Sequence, residues 1–216
     1  MDSMRDDPTN DELLTAARNG DEHALAVLVE RHRERLERMV RLRMDRRLQG
    51  RVDPADVVQD AYVAIRSKFA QYKTDSQLPF FLWLRLEVGQ KLVDLHRFHL
   101  GAQMRNAGQE VALHRGALPQ VTSMSLAEHL LGKLTSASRA VMRAELKIRV
   151  QEALNSMDSH DREVLILRHF EELSNSETAQ VLRIKPSAAV NRYVRALKRL
   201  KAVFEDLPGG IEGIWG

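Results

Sequence analysis

Apolar residues recur at three- and four-residue spacing along most of this chain, and almost nowhere do they alternate in twos. That period predicts helices and no sheet. The clearest instance is SNSETAQVLRIKPSAAVNRYVRALKRLKAVF, residues 174–204. Ser174 stands three residues before Glu177, the spacing of a capping box. Ala179, Val181 and Leu182 give the first helix a short buried face. A turn falls at 183–185. Pro186 follows in the first turn of the next helix, where its missing N–H costs nothing. Ala189, Tyr193, Ala196, Leu197, Leu200, Val203 and Phe204 line one side of that second helix. Short helix, tight turn and longer helix make a helix-turn-helix, a unit that often lays its second helix in a DNA major groove.

The rest of the pattern extends this to the whole chain. Thr9 or Asn10 caps DELLTAAR, and Asn19-Gly20 ends it. A long helix spans 22–48 with Leu25, Leu28, Val29, Leu36, Met39 and Val40 as its stripe. Gln49-Gly50 breaks the chain, and Asp53-Pro54 opens a third helix that turns Val57, Val58, Ala61, Ile65 and Phe69 inward. The loop KTDSQ leads to a fourth helix over 79–100, with Phe80, Leu84, Val88 and Leu92 as core. Over 101–138 the pattern weakens between glycines and prolines. Short helices are expected there at 103–113 and 125–131, the latter with Ser125 and Glu128 as a capping box. A helix resumes over 139–155, and Ser159 caps HDREVLILRHFEE. These two pack with the helix-turn-helix as a small bundle. The expectation is an all-α chain: a disordered N-terminus 1–9, a helical domain 10–100, a partly helical linker 101–138, a helical domain 139–206 and a flexible tail 207–216.

Charge sharpens the picture. The net charge of 216 residues is only +3, so basic character is local. It peaks over 31–51 and 183–201. Between Thr178 and Phe204 there is no acidic residue, while Arg183, Lys185, Arg192, Arg195, Lys198, Arg199 and Lys201 all fall there. Solvated faces usually mix both signs; a one-signed helix attracts a polyanion and gains by releasing counterions. The arginines over 31–51 are interspersed with Glu30, Glu34 and Glu37, and read either as a nucleic-acid contact or as a solvated face. Asp53, Asp56, Gln59 and Asp60 gather at the start of the third helix. Acidic residues there suit the helix dipole; they also form a docking surface for a basic partner. Trp83 is either core or a base-stacking residue beside a basic stretch, Lys91, His96, Arg97 and His99.

Several classes drop out. The chain has no cysteine, which excludes disulfides and Cys-based zinc sites. His96 and His99 lack a third ligand, so no metal or cofactor is expected. No nucleophile–base pair or phosphate loop appears, so the chain is not read as an enzyme. No apolar run reaches the roughly 18 residues that span a membrane, and MDSMRDDPTNDE lacks the apolar core of a signal peptide. A cytoplasmic location is expected.

Two segments together resemble a known family. DPADVVQDAYVAIRSKF followed by FFLWLRLEVGQKLVDLHR resembles the second domain of bacterial RNA polymerase sigma factors. ALNSMDSHDREVLILRHFEELSNSETAQVLRIKPSAAVNRYVRALKRLK resembles their fourth domain. The pair, with nothing large between, resembles the extracytoplasmic-function (ECF) group. The resemblance implies core RNA polymerase and promoter DNA as partners, with an anti-sigma factor as a further one. Asp53, Asp56, Gln59 and Asp60 would then dock on the clamp of the largest subunit. The loop with Lys73 and Asp75, and the helix with Trp83, Lys91, His96, Arg97 and His99, would read and open the −10 element. Lys185, Ser187, Ala188, Asn191, Arg192, Arg195 and Arg199 would read the −35 element, and their domain would contact the flap of the second-largest subunit. Three positions depart from the family: Arg183 where glycine is usual in the turn, Ala188 and Val190 where Thr and Lys are common, and Gly89 where Asn is common. Base reading then falls more on Ser187, Asn191, Arg192 and Arg195. The competing reading is an autonomous helix-turn-helix regulator, which binds duplex by itself, usually as a dimer; it leaves the N-terminal half unexplained.

Overall fold

The computed structural model describes residues 8–75, 78–100, 118–131 and 140–205, with the side chains of 73–75, 100, 140–143 and 204 outside that description. The described residues are helical, apart from turns and an isolated bridge between Gln49 and Val52. The chain forms two compact units, Met1–Pro119 and Gln120–Gly216. The expected helix at 103–113 and the tail 207–216 lie outside the described residues, as does most of the N-terminal segment 1–9.

The first unit holds α1 (Asn10–Arg18), α2 (Glu22–Arg43), α3 (Pro54–Asp75) and α4 (Phe80–Leu100). Thr9, not Asn10, caps α1: its Oγ1 accepts from the Glu12 amide at 3.3 Å, and Glu12 Oε2 accepts from the Thr9 amide at 2.7 Å. Asp21 Oδ1 caps α2 by accepting from the amides of His23 and Ala24. Leu36, Met39, Val40, Ile65, Leu84 and Leu92 are fully buried where α2, α3 and α4 meet. Burying each such side chain is worth about 1.5–3 kcal/mol.

The second helix ends five residues short of the expected Leu48, and the cause is local. Met44 is extended. Asp45 Oδ1 accepts from the Arg47 amide at 2.9 Å, a turn that competes with helix. The Asp45 amide itself donates to His96 Nε2 at 3.2 Å. Beyond α4, the chain is clasped again by the same unit. Arg43, itself buried, donates from Nη1 to the Pro119 carbonyl at 3.1 Å. The Leu118 side chain fills the space over Gly89 on α4, so a Cβ at Gly89 would fall inside it.

The second unit holds α5 (Ser123–Leu131), α6 (Ala140–Ser156), α7 (Ser159–Leu165), α8 (Asn175–Leu182) and α9 (Pro186–Glu205). Leu126, Leu131, Val150, Leu154, Val164, Ile166, Leu167 and Leu173 make its core. The helix α5, assigned to the linker on sequence, thus supplies core side chains. Two caps sit upstream of the residues expected. Thr122 Oγ1, not Ser125, accepts from the Ser125 amide at 3.1 Å, and Glu128 turns to Lys147 Nζ at 2.6 Å. Asp158, not Ser159, caps α7 by accepting from the His160 amide at 2.9 Å. The carboxylate is the stronger acceptor of the two neighbours. HDREVLILRHFEE is also not one α-helix. After Leu165 it widens into a π-helical turn, Ile166–Phe170, which Glu172 closes at φ 54°.

Candidate nucleic-acid interface

The helix-turn-helix forms as its residues dictate. Ser174 Oγ accepts from the Glu177 amide at 3.2 Å, and Glu177 Oε2 accepts from the Ser174 amide at 2.7 Å. The helix α8 ends at Arg183, which is left-handed at φ 53°, ψ 44°. Its neighbour Ile184 donates back to the Ala179 carbonyl at 3.0 Å. Pro186 then starts α9, and the Lys185 carbonyl accepts from the amides of Ala188 and Ala189.

The alanines of α9 set its orientation. Ala189, Ala196 and Leu200 are buried, and α9 packs on α6, α7 and α8. Ser187, Asn191, Val194 and Lys198 project from the opposite side and are exposed, with Lys185, Val190 and Lys201 flanking them. Ala188 is half-buried. The arginines expected to read bases lie elsewhere. Arg192 Nη1 donates to Asp158 Oδ1 at 3.0 Å and to Asp161 Oδ1 at 2.9 Å. Arg195 Nη2 donates to the same Asp161 oxygen at 3.1 Å, though most of its side chain stays exposed. Arg199 Nη1 donates to the Ser156 carbonyl at 2.7 Å. One-signed charge and the family resemblance placed these arginines on the DNA side; the acceptors that hold them come from residues more than thirty positions upstream, and no local pattern announces them. Val194 and Lys198 share this exposed face and were not named among the DNA-reading candidates, although a helical wheel centred on Ala189 and Ala196 would have found them.

In the first unit, Asp53, Asp56, Gln59 and Asp60 are all exposed over the first turns of α3. Asp53 Oδ1 also accepts from the Ala55 amide at 2.9 Å. Val63 lies on the same face at 73% exposure, an apolar position that the acidic spacing did not flag. Asp60 pairs with Lys91 of α4 at 3.0 Å, so the acidic face and one basic candidate meet.

The residues proposed for the −10 element divide in two. Trp83 is only 7% exposed; its ring stacks on Tyr72 at 4.7 Å and lies 6.0 Å from Phe69. This cluster pins the end of α3 to the start of α4, and Tyr72 Oη donates to the Leu78 carbonyl at 3.1 Å. Burial pushes the Tyr72 phenol up. His96 is 3% exposed and accepts the Asp45 amide on Nε2, so burial pushes its pKa down. Trp83 and His96 are therefore packing residues and not part of the exposed basic face. Lys91, Arg97 and His99 do reach solvent; Arg97 lies 3.7 Å from Asp94. Phe98, which the sequence reading passed over, is 84% exposed between them, with the His99 ring edge-on at 4.9 Å. Lys73 and Asp75 stand in the last turn of α3, their side chains outside the described residues. Among the described residues no group of three His, Asp or Glu could hold a metal, and no helix is long and apolar enough to cross a membrane.

Comparisons with known proteins identify the family. Residues 147–200 match the family model described as Sigma-70, region 4. The chain is 28% identical to the RNA polymerase sigma factor NccH of Alcaligenes xylosoxydans over 202 residues, covering 93% of this chain and 97% of that protein. It is 30% identical to the ECF RNA polymerase sigma factor ShbA of Streptomyces griseus over 207 residues, covering 94% and 100%. Among solved structures it is similar to CnrH in complex with the cytosolic domain of CnrY, with a TM-score of 0.50, 26% identity, and coverage of 89% of this chain and 95% of that one. A relative at 30% identity, matched over its whole length, places the chain: it belongs to the ECF RNA polymerase sigma factors, the subunits that direct transcription initiation.

Proposed function

We propose that this sigma factor engages polymerase and promoter through three surfaces. The exposed face of α3, with Asp53, Asp56, Gln59 and Asp60 around Val63, docks on the clamp of the largest subunit. A mostly acidic ring around one exposed apolar residue suits a basic partner surface with a small apolar pocket. The last turn of α3, with Lys73 and Asp75, and the chain that follows it take up a flipped base of the nontemplate strand at the −10 element. Lys91, Arg97 and His99 on α4 hold that strand. Unstacking the base costs a few kcal/mol, which stacking and phosphate contacts offset. The outward face of α9 reads the −35 element through Ser187, Asn191 and Lys198, with Lys185 in the turn before it and the half-buried Ala188 at its edge. Val190 and Val194 supply apolar contact for thymine methyl groups. The second unit also meets the flap of the second-largest subunit. The chain itself catalyses no reaction.

Asp60 and Lys91 belong to different surfaces in this scheme. An exposed pair of this kind is worth roughly 0–1 kcal/mol, so each partner can be given up to a new one. The relative CnrH is held with the cytosolic domain of CnrY; by analogy, this chain takes a regulatory protein of the anti-sigma type, in the cytoplasm.

The observation that carries the reading is the exposed face of α9, which presents Ser187, Asn191, Val194 and Lys198 with no acidic residue among them. The test is direct. The purified chain should capture bacterial core RNA polymerase at moderate salt, and Asp56→Lys should weaken that capture by about tenfold, the scale of a charge reversal at an interface. Unchanged affinity would refute the assignment of α3.

A further inference from the structure

The arginines of α9 face the protein's own acids. Asp158 caps α7 through the His160 amide and holds Arg192 as well. Asp161, 5% exposed, holds Arg192 and Arg195 on a single oxygen. A cap alone does not require this: asparagine caps a helix as well as aspartate does. The charge at position 158 has to be explained by what it faces, and it faces Arg192.

Phosphate contacts raise affinity for every sequence alike, whereas base contacts discriminate. A promoter reader must be judged by the ratio of specific to non-specific binding, because competing sites vastly outnumber the target. Arg192 and Arg195 left loose on the flank of α9 would seek phosphates on any duplex.

We propose that Asp158 and Asp161 are positioning residues that set promoter discrimination: they withhold Arg192 and Arg195 from DNA phosphates, so that α9 selects its element through Ser187, Asn191, Val194 and Lys198. This rests on α9 being the DNA-reading helix, as proposed above. Asp158 and Asp161 act through the arginines and do not touch DNA themselves.

The test uses the full chain and a random-sequence duplex of about 25 base pairs, titrated by fluorescence anisotropy across roughly 25–200 mM salt, where each phosphate contact adds about 0.9 to the slope of log affinity against log salt. Asp158→Asn keeps the cap and removes the charge at an exposed position, so folding is not at issue. Asp161→Asn keeps the side chain's shape. Asp161→Asn, which frees Arg195, and Asp158→Asn combined with Asp161→Asn, which frees Arg192 as well, should bind the random duplex about three- to tenfold more tightly at low salt, with the slope steeper by about 0.9 for each arginine released. Adding Arg195→Gln to Asp161→Asn, which removes the arginine that Asp161 holds without Asp158, should bring the slope back toward that of the unaltered chain, which a purely structural role for Asp161 does not predict. If both Asn variants keep the original affinity and slope while Lys198→Gln lowers the slope, the withholding role is wrong and the DNA-reading role of α9 stands. If Lys198→Gln also leaves the slope unchanged, α9 is not the DNA surface and the inference falls with that reading.

Discussion

Arg183 occupies the one backbone position in the helix-turn-helix that favours glycine. A side chain in the left-handed region is strained, and glycine relieves it at some cost in chain entropy. Arg183→Gly should therefore stabilise the protein by about 0.5–1 kcal/mol, read as a higher thermal midpoint; a lower one would mean that the arginine side chain contributes more than the strain it brings. The turn's place was legible because Ser174, Glu177 and Pro186 bracket it in sequence. Single polar residues on α4 and α9 were read less well. His96 and Arg192 look like surface residues by type. What places them is a backbone amide 51 positions away for His96, and two carboxylates 34 and 31 positions away for Arg192. Local pattern carries no signal for partners at such separations.

At the scale of elements, helix starts were easier to find than helix ends. Caps are short-range chemistry, so Thr9, Asp53 and Ser174 could be found close to where they act. Where two candidates adjoin, as at Asp158 and Ser159, type alone did not decide between them. The end of α2 was overrun because Met44 and Leu48 are both buried at helical spacing, although the chain between them is a turn. That turn is docked on α4 by the Asp45 amide and His96, which makes the contact sensitive to acid. Burial lowers the folded-state pKa of His96 below its ordinary 6.5. Above that pH the imidazole is neutral folded or unfolded, and the contact is fully present. As pH falls below about 6.5 the unfolded chain takes up the proton first, so stability is lost progressively, by at most about 1.4 kcal/mol per pH unit. Asp45, whose pKa the Arg47 guanidinium lowers from 3.8, acts only in a more acidic window. Urea midpoints at about pH 7.5 and 5.5 should therefore differ more for the unaltered chain than for His96→Gln, whose amide oxygen still accepts the Asp45 N–H. Equal differences would show that other groups set the acid response.

For the whole molecule, the all-helical class and the order of the two sigma-like regions were legible, since both follow from period and motif. The stretch between them was not. It lacks a strong pattern, and α5 shows its worth only when packed on α6. The clasp at Leu118 and Pro119 was also invisible, because Gly89 looks like a weak point in a helix until a side chain is seen to occupy the space it leaves. Gly89→Val should evict Leu118 while costing α4 nothing in helix propensity, valine being the better helix former. Hydrogen exchange at the backbone amides over 118–122 should then run several-fold faster, with the thermal midpoint little changed. An unchanged rate would mean that the notch does not hold the segment.

The clasp also has a topological consequence. Leu100 ends α4 and Leu118 lies against Gly89 of that same helix, so the contact closes a ring in the chain whose two ends sit on one body. The closing cost of such a ring rises only as the logarithm of its length, about 0.6 kcal/mol for each doubling. Added length within such a ring therefore burdens the fold little, provided the knot at Gly89, Leu118 and Arg43 stays tied.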